Sequence, residues 1–268
     1  MKKYVSLLRY EFKTIVKDPM NLFMLVYPPM MLAICAYLLP FILEQTNATN
    51  TEAEALTLLI GFAVVLAIGS YLMGALLGFS LLDHKDENTL LNIAVSPITV
   101  SGYSMFKLVY SFLFAIIANV IMLGGLKLLA SDTYTITYGS MVIGLLDPLS
   151  YGEIVVFAIV NSLFVTAIAF SIAAFAKNKI EGFAIVKGGG MILFIPILTL
   201  LEFFQDGKQY LLGIVPIFWP FKAILNESLR LNHASNIGFW GYMVIGAVLS
   251  IALGYVALRH FLKKVSLK

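Results

Sequence analysis

Six stretches of the chain stay apolar for about one membrane thickness: residues 20–43, 56–82, 108–129, 154–176, 183–201 and 237–258. A helix rises 1.5 Å per residue, so about 20 residues cross a hydrocarbon core of roughly 30 Å. Each run therefore predicts a transmembrane helix. The first is too long for a signal-peptide core and no small-x-small cleavage site follows it, so it is expected to persist as the first membrane helix. Within it, Tyr27-Pro28-Pro29 predicts a bend or break, because two prolines remove two backbone donors. Residues 1–18 carry a different pattern. Tyr4, Leu8, Phe12 and Ile15 recur at helical spacing, with Arg9, Lys13 and Lys17 on another face. That predicts a basic amphipathic helix lying in the interface, serving either as a passive anchor or as a docking element. Residues 210–225 are apolar but interrupted by Pro216 and Pro220. A pair of short re-entrant or interfacial helices fits them better than a seventh span, with Trp219 at the headgroup level.

Composition supports this reading. Of 268 residues, 60% are apolar and 12% charged, and the mean hydropathy is +0.92. Soluble domains carry about 25% charge, so a water-soluble enzyme is excluded, as is a disordered chain. Lys and Arg divide fourteen to four between the two sets of connecting segments. The richer set holds both termini and the 83–107 and 177–187 segments, so both termini are expected in the cytoplasm. Asn47 and Asn226 sit in glycosylation sequons on the opposite side, which matter only in a eukaryotic secretory pathway.

The chain lacks an engine. Cys35 is the single cysteine and reads as a small core hydrophobe, and His84, His233 and His260 lie too far apart for a metal pair. HExxH, paired intramembrane aspartates and GxxxxGK[ST] are all missing from the sequence. Ion-driven carriers place ionisable groups inside their spans, yet here Lys127 and Lys187 lie only near span ends, where they can snorkel to the interface. Asn119 and Asn161 are the strongest mid-span polar groups, available for interhelical hydrogen bonding or substrate contact. Lys187-Gly188-Gly189-Gly190 reads as helix packing. Ser70-Gly74-Gly78 and Gly246-Ser250-Gly254 allow close helix approach, within one chain or between two. Aromatic and Met side chains crowd spans one, two and five. Tyr27, Met31, Tyr71 and Phe194, with Asn119 and Asn161, are the candidate substrate-path residues.

The 83–107 segment is long for a simple turn. Acids at its start suit a helix N-terminus. Leu90, Leu91, Ala94 and Val95 fall on one side, and Ser96-Pro97 ends the short helix before a second segment that reaches Tyr103 and Lys107. An ordinary interfacial loop would also fit this pattern. Lys85, Asp86, Thr89, Leu90, Ser96, Pro97, Tyr103 and Lys107, within the six-span layout, resemble the loop signature of type-2 permeases of ABC exporters. Asn88 stands where that family usually has Gly, and Asn is the next best residue for positive φ.

The resemblance implies an all-α membrane protein. It has an N-terminal amphipathic interfacial helix, six transmembrane helices, a cytoplasmic coupling helix between spans two and three, and an external re-entrant hairpin before span six. Lys85, Asp86, Glu87, Asn88, Thr89, Leu90, Leu91, Ala94, Ser96 and Pro97 would dock on a separate ABC ATPase subunit. That partner would hold ATP and Mg, this chain binding no cofactor and catalysing nothing. A second permease subunit, identical or different, would complete the pathway. The expected task is export of an amphipathic drug, peptide or lipid-like substrate through the plasma membrane of a bacterium. The competing class is an ATP-independent scaffold, facilitator or immunity protein.

Overall fold

The computed structural model describes residues 19–45, 51–86, 100–138, 141–204, 206–231 and 235–266. The expected interfacial helix at 1–18 and most of the coupling segment, residues 87–99, lie outside them.

Helix α1 (Pro19–Ala33) runs through Pro28 and Pro29 without interruption, so of the expected bend or break the break is excluded. The irregularity comes later and has a different cause. A π-helical turn (Ile34–Leu38) leads into α2 (Leu39–Gln45), and the Leu39 N–H bonds the Ile34 carbonyl, five residues back. The next donor on that ladder would be Pro40, which has no N–H. The Cys35 carbonyl instead accepts the Tyr134 hydroxyl at 2.9 Å. Cys35 itself is buried, as expected.

Helix α3 (Thr51–Asp86) is 36 residues long, about 54 Å at the helical rise, so it outruns the expected 56–82 at both ends. Helix α4 (Val100–Asn119) passes through a second π turn (Val120–Gly124) into α5 (Gly125–Ala130). It starts eight residues before the expected position of 108, so Tyr103 and Lys107 belong to a helix and not to the loop. The Lys107 ammonium lies 6.0 Å from the Tyr103 ring centre and 5.6 Å from that of Tyr110, which lets a cation sit among apolar helices. After α5 an antiparallel hairpin, β1 (Thr135–Tyr138) and β2 (Met141–Gly144), adds a small sheet that the helical reading did not foresee; Thr135 faces Gly144 and Tyr138 faces Met141.

Helix α6 (Tyr151–Phe175) begins at a capping box. Ser150 Oγ accepts the Glu153 N–H at 3.2 Å, and Glu153 Oε2 accepts the Ser150 N–H at 2.7 Å. Helix α7 (Lys179–Gly189) follows after a tight turn and is capped by Asn178, whose side chain accepts the Glu181 N–H at 2.9 Å. It tightens into a 3₁₀ turn (Gly190–Leu193) and continues as α8 (Phe194–Leu198). A 3₁₀ segment (Gly207–Ile214) and α9 (Phe218–Ser228) form the expected pair of short helices, with Pro216 between them and Pro220 in the first turn of α9, where a missing N–H costs nothing. The long helix α10 (Gly238–Ser266) closes the fold.

Among the described residues, five helical segments are long and apolar enough to cross a membrane: Leu22–Ile42, Gly102–Ala130, Tyr151–Phe175, Lys179–Leu198 and Gly238–Lys263. The most enclosed is α6, which packs on α3, α4 and α10. The outer helices show apolar stripes instead, such as Met105, Val109, Leu113 and Ile117 on α4 and Trp240, Val244, Val248 and Ile251 on α10, all exposed. Such faces are intolerable in water and natural against lipid tails.

Both small-residue stripes are used inside the chain. A Cβ at Gly74 would meet Ile168 Cγ2 at 3.0 Å and the Val165 carbonyl at 3.1 Å, and one at Gly78 would meet Ile172 and the Ala169 carbonyl equally closely. Gly246 lies against Trp219, Pro220 and Val160. These positions seat α3 and α10 on α6 and α9. Trp219, expected at the headgroup level, packs inside the chain. It is buried against Gly213, whose carbonyl accepts the indole N–H at 2.8 Å, and the exposed tryptophan is Trp240. Asn226 is 4% exposed and donates to Asn236, so the acceptor amide of its sequon is buried.

Candidate functional site

Two features meet around the middle of α3, one polar and closed, the other apolar and open. Ser70 turns toward α4 and α6. There the Asn161 amide donates to the Asn119 side-chain oxygen at 2.8 Å and also to Ser70 Oγ, while Ser70 Oγ donates to the Leu66 carbonyl at 2.9 Å. The Asn119 amide donates to the Ala115 carbonyl at 2.8 Å and to Ser162 Oγ at 3.3 Å. All four side chains are buried. Each such interhelical bond contributes about 0.6–2 kcal/mol in a membrane. Asn119 and Asn161 thus make interhelical hydrogen bonds that tie α3, α4 and α6 together.

One residue along, Tyr71 turns the other way. Its hydroxyl donates to the Val186 carbonyl of α7 at 2.6 Å. Gly189 permits this reach, since a Cβ there would stand 2.5 Å from the Tyr71 oxygen. The Lys187–Gly190 run thus has a packing reason at Gly189 and at the change to 3₁₀ geometry. Tyr71 also lines a cavity of about 220 Å³ between α3, α6, α7, α10 and the 214–216 corner, with Phe164, Ile168, Ile185, Ile192, Pro216 and Leu253 among its walls. Ser171 lines it too, but its hydroxyl is committed to the Ala167 carbonyl at 2.7 Å. The lining offers shape and apolar contact with no charged group, which suits the hydrophobic part of a small amphipathic molecule.

The six candidate path residues do not converge. Tyr71 alone lines this cavity. Asn119 and Asn161 hold each other. Tyr27 is buried beside Met24, Met73 and Leu77, Met31 is half-buried against the same group, and Phe194 faces outward at 59% exposure. Ile185, Ile192 and Pro216 were not foreseen. Pro216 alone carried a signal, as a breaker that forces a corner. Of the coupling residues, Lys85 and Asp86 fall in the last turn of α3. Glu87, Asn88, Thr89, Leu90, Leu91, Ala94, Ser96 and Pro97 lie outside the described residues.

Over residues 11–258 the sequence matches a family described as "Fluoroquinolones export permease protein Rv2686c-like". The chain belongs to that family. Two curated relatives are the fluoroquinolones export permease proteins MT2760 and Rv2686c of Mycobacterium tuberculosis, strains CDC 1551 / Oshkosh and ATCC 25618 / H37Rv. Each is 24% identical over 258 residues, covering 96% of this chain and 92% of the relative. The chain is therefore a multi-pass membrane permease of an export family, consistent with the type-2 resemblance.

Helix α9 holds a buried charged group. Lys222 is 1% exposed, and burial lowers its pKa from 10.5 to about 8. Burial also raises the Glu227 carboxyl, with the negative charge of Glu153 adding to the shift. Below pH 8 the Lys222 ammonium is protonated in both folded and unfolded chains. Between about pH 8 and 10.5 the folded chain releases the proton first, so stability rises with pH through that window. The thermal midpoint in detergent should rise from pH 7.5 to 10 in the parent by more than in Lys222→Met. Identical pH profiles for the two proteins would refute the burial argument.

Proposed function

We propose that this chain is the membrane subunit of an ATP-binding cassette exporter. In this reading α3 is the sixth span, second in chain order, and both termini and the 87–99 segment face the cytoplasm. The 3₁₀ segment and α9 form the external re-entrant hairpin. A separate ATPase supplies ATP hydrolysis with Mg, and a second permease subunit completes the pathway. The observation that carries the reading is the family match over residues 11–258. The loop signature beginning at Lys85 and Asp86 supports an ATPase partner. The relatives' names and the apolar lining around Tyr71 support an amphipathic aromatic drug of the fluoroquinolone class as substrate.

The decisive experiment compares cells expressing the chain alone with cells that also express the ATPase that co-purifies with it. Fluoroquinolone accumulation should fall several-fold only in the second case, and collapse of ATP should restore it. A fall without any ATPase would favour the facilitator, and no fall in either case would remove the drug from the reading.

Orientation has its own test, based on the fourteen-to-four split of Lys and Arg. In a Cys35→Ala background, Thr49→Cys and Asp206→Cys should react with an impermeant thiol reagent on intact cells, while Asn88→Cys should be protected. The reverse pattern would invert the topology.

A further inference from the structure

Along α10 one face changes character in four-residue steps, from Ile251 to Tyr255 to Arg259 to Lys263. All four are exposed. At its apolar end lies a groove of about 350 Å³, walled by Leu108 and Phe112 of α4, Ala167 and Phe170 of α6, and Ile251 and Tyr255 of α10. At the basic end a second hollow shares Tyr255 and is lined by Arg259, His260 and Lys263. Tyr255 lines both hollows. From Ile251 to Lys263 the helix rises about 18 Å. An apolar trough, an aromatic ring and a cation pair follow one another in the order that an acyl chain, a glycerol region and a phosphate follow in a lipid. The cations also sit in the last turns of the span Gly238–Lys263, where a membrane helix meets the headgroups.

We propose that this face is a binding site for an anionic phospholipid, with one acyl chain in the groove and the phosphate on Arg259 and Lys263. The charge pattern selects the occupant. A zwitterionic lipid fills the groove equally well but brings its own cation to the basic end, whereas an anionic lipid leaves the phosphate as the net charge. A basic side chain near the membrane surface contributes about fivefold in affinity, so two give roughly 25-fold. The proposal goes beyond the transport reading and needs only that α10 lies in a membrane.

The test uses the full chain purified in mixed micelles of phosphatidylglycerol and phosphatidylcholine with identical acyl chains, with retained lipid counted by native mass spectrometry. The parent should retain phosphatidylglycerol in preference by roughly 25-fold. R259Q/K263Q should bring the ratio close to one, and R259K/K263R should keep it. Gly254→Leu should reduce retention of both lipids with the cation pair intact. Gly254 lines the groove, and a Cβ there makes only an ordinary contact with Ala167 at 3.6 Å, so the leucine fills the trough without displacing the backbone. Equal retention of the two lipids by the parent, or an unchanged preference in R259Q/K263Q, overturns the proposal. So does efficient disulfide formation between copies carrying Tyr255→Cys in a Cys35→Ala background, because a second copy would then occupy the groove.

Discussion

If a separate ATPase docks on the 83–97 loop as proposed, replacing Leu90 and Leu91 together with Asp is expected to leave the chain inserted in the membrane and to abolish ATPase association. No span contains either residue, so insertion and thermal stability should stay close to those of the parent. At a docking contact the result differs, because two carboxylates would be buried without partners. Leaving a buried charge unpaired costs roughly 3–5 kcal/mol, which is about two to nearly four orders of magnitude in association. The frame on either side can transmit a push. Helix α3 is continuous from Thr51 to Asp86 and meets α6 through Gly74 and Gly78, so displacement at Asp86 is carried along a stiff, closely packed rod. Helix α4 begins at Val100 and is tied to α3 and α6 through Asn119. The measurement is the amount of ATPase that co-purifies, together with substrate-stimulated hydrolysis. Leu90→Ala with Leu91→Ala should weaken both without eliminating them. Parent-like association and transport in the double Asp variant would sink the coupling assignment and strengthen the scaffold reading.

The membrane class, five of the spans and the family resemblance were legible in the sequence because they depend on composition and length. Packing inside the bundle was not. In a bilayer, lipid tails are as apolar as a protein core, so hydropathy does not separate a lipid-facing residue from a buried one. Helix α6 is enclosed and α7 largely exposed, yet both read simply as spans. Phe194 and Tyr71 looked equivalent for the same reason, and only one lines the cavity.

Prolines misled in an instructive way. Pro28-Pro29 drew attention as a pair, yet α1 passes through them, while the lone Pro40 leaves the Cys35 carbonyl to Tyr134, a partner 99 residues away. The β hairpin did have a local signature, since Thr135–Tyr138 and Met141–Gly144 flank Gly139-Ser140. The early start of α4 was hidden by Lys107, which reads as a loop residue until the rings of Tyr103 and Tyr110 are seen beside it. Asn119 and Asn161 were readable as a pair of interhelical donors, because an isolated amide at that depth would cost several kcal/mol.

The largest loss of folding should come from the α3–α6 seam. At Gly74 and Gly78 the nearest atoms include the backbone carbonyls of Val165 and Ala169, each 3.1 Å from where a Cβ would stand. A carbonyl in the middle of α6 cannot rotate aside as a side-chain tip can, so a larger residue must push the two helices apart. Separation would also stretch the Ser70–Asn161 contact one turn away, which belongs to the same pair of helices. Overpacking costs about 1–3 kcal/mol per site. Gly74→Leu with Gly78→Leu should therefore cost roughly 2–6 kcal/mol in overpacking, of which the better helix propensity of Leu returns about 1 kcal/mol per site, and should reduce the yield of monodisperse protein several-fold. Gly188→Leu is the matched control: the same substitution on a helix, where a Cβ meets nothing within 4 Å. It should fold like the parent. Gly74→Ala should fall between, since Ile168 can yield a few tenths of an ångström more readily than the carbonyl. If the double leucine variant matches Gly188→Leu in yield and thermal midpoint, the close approach of α3 and α6 does not hold the bundle together, and the same stripe becomes available for contact with a second permease subunit.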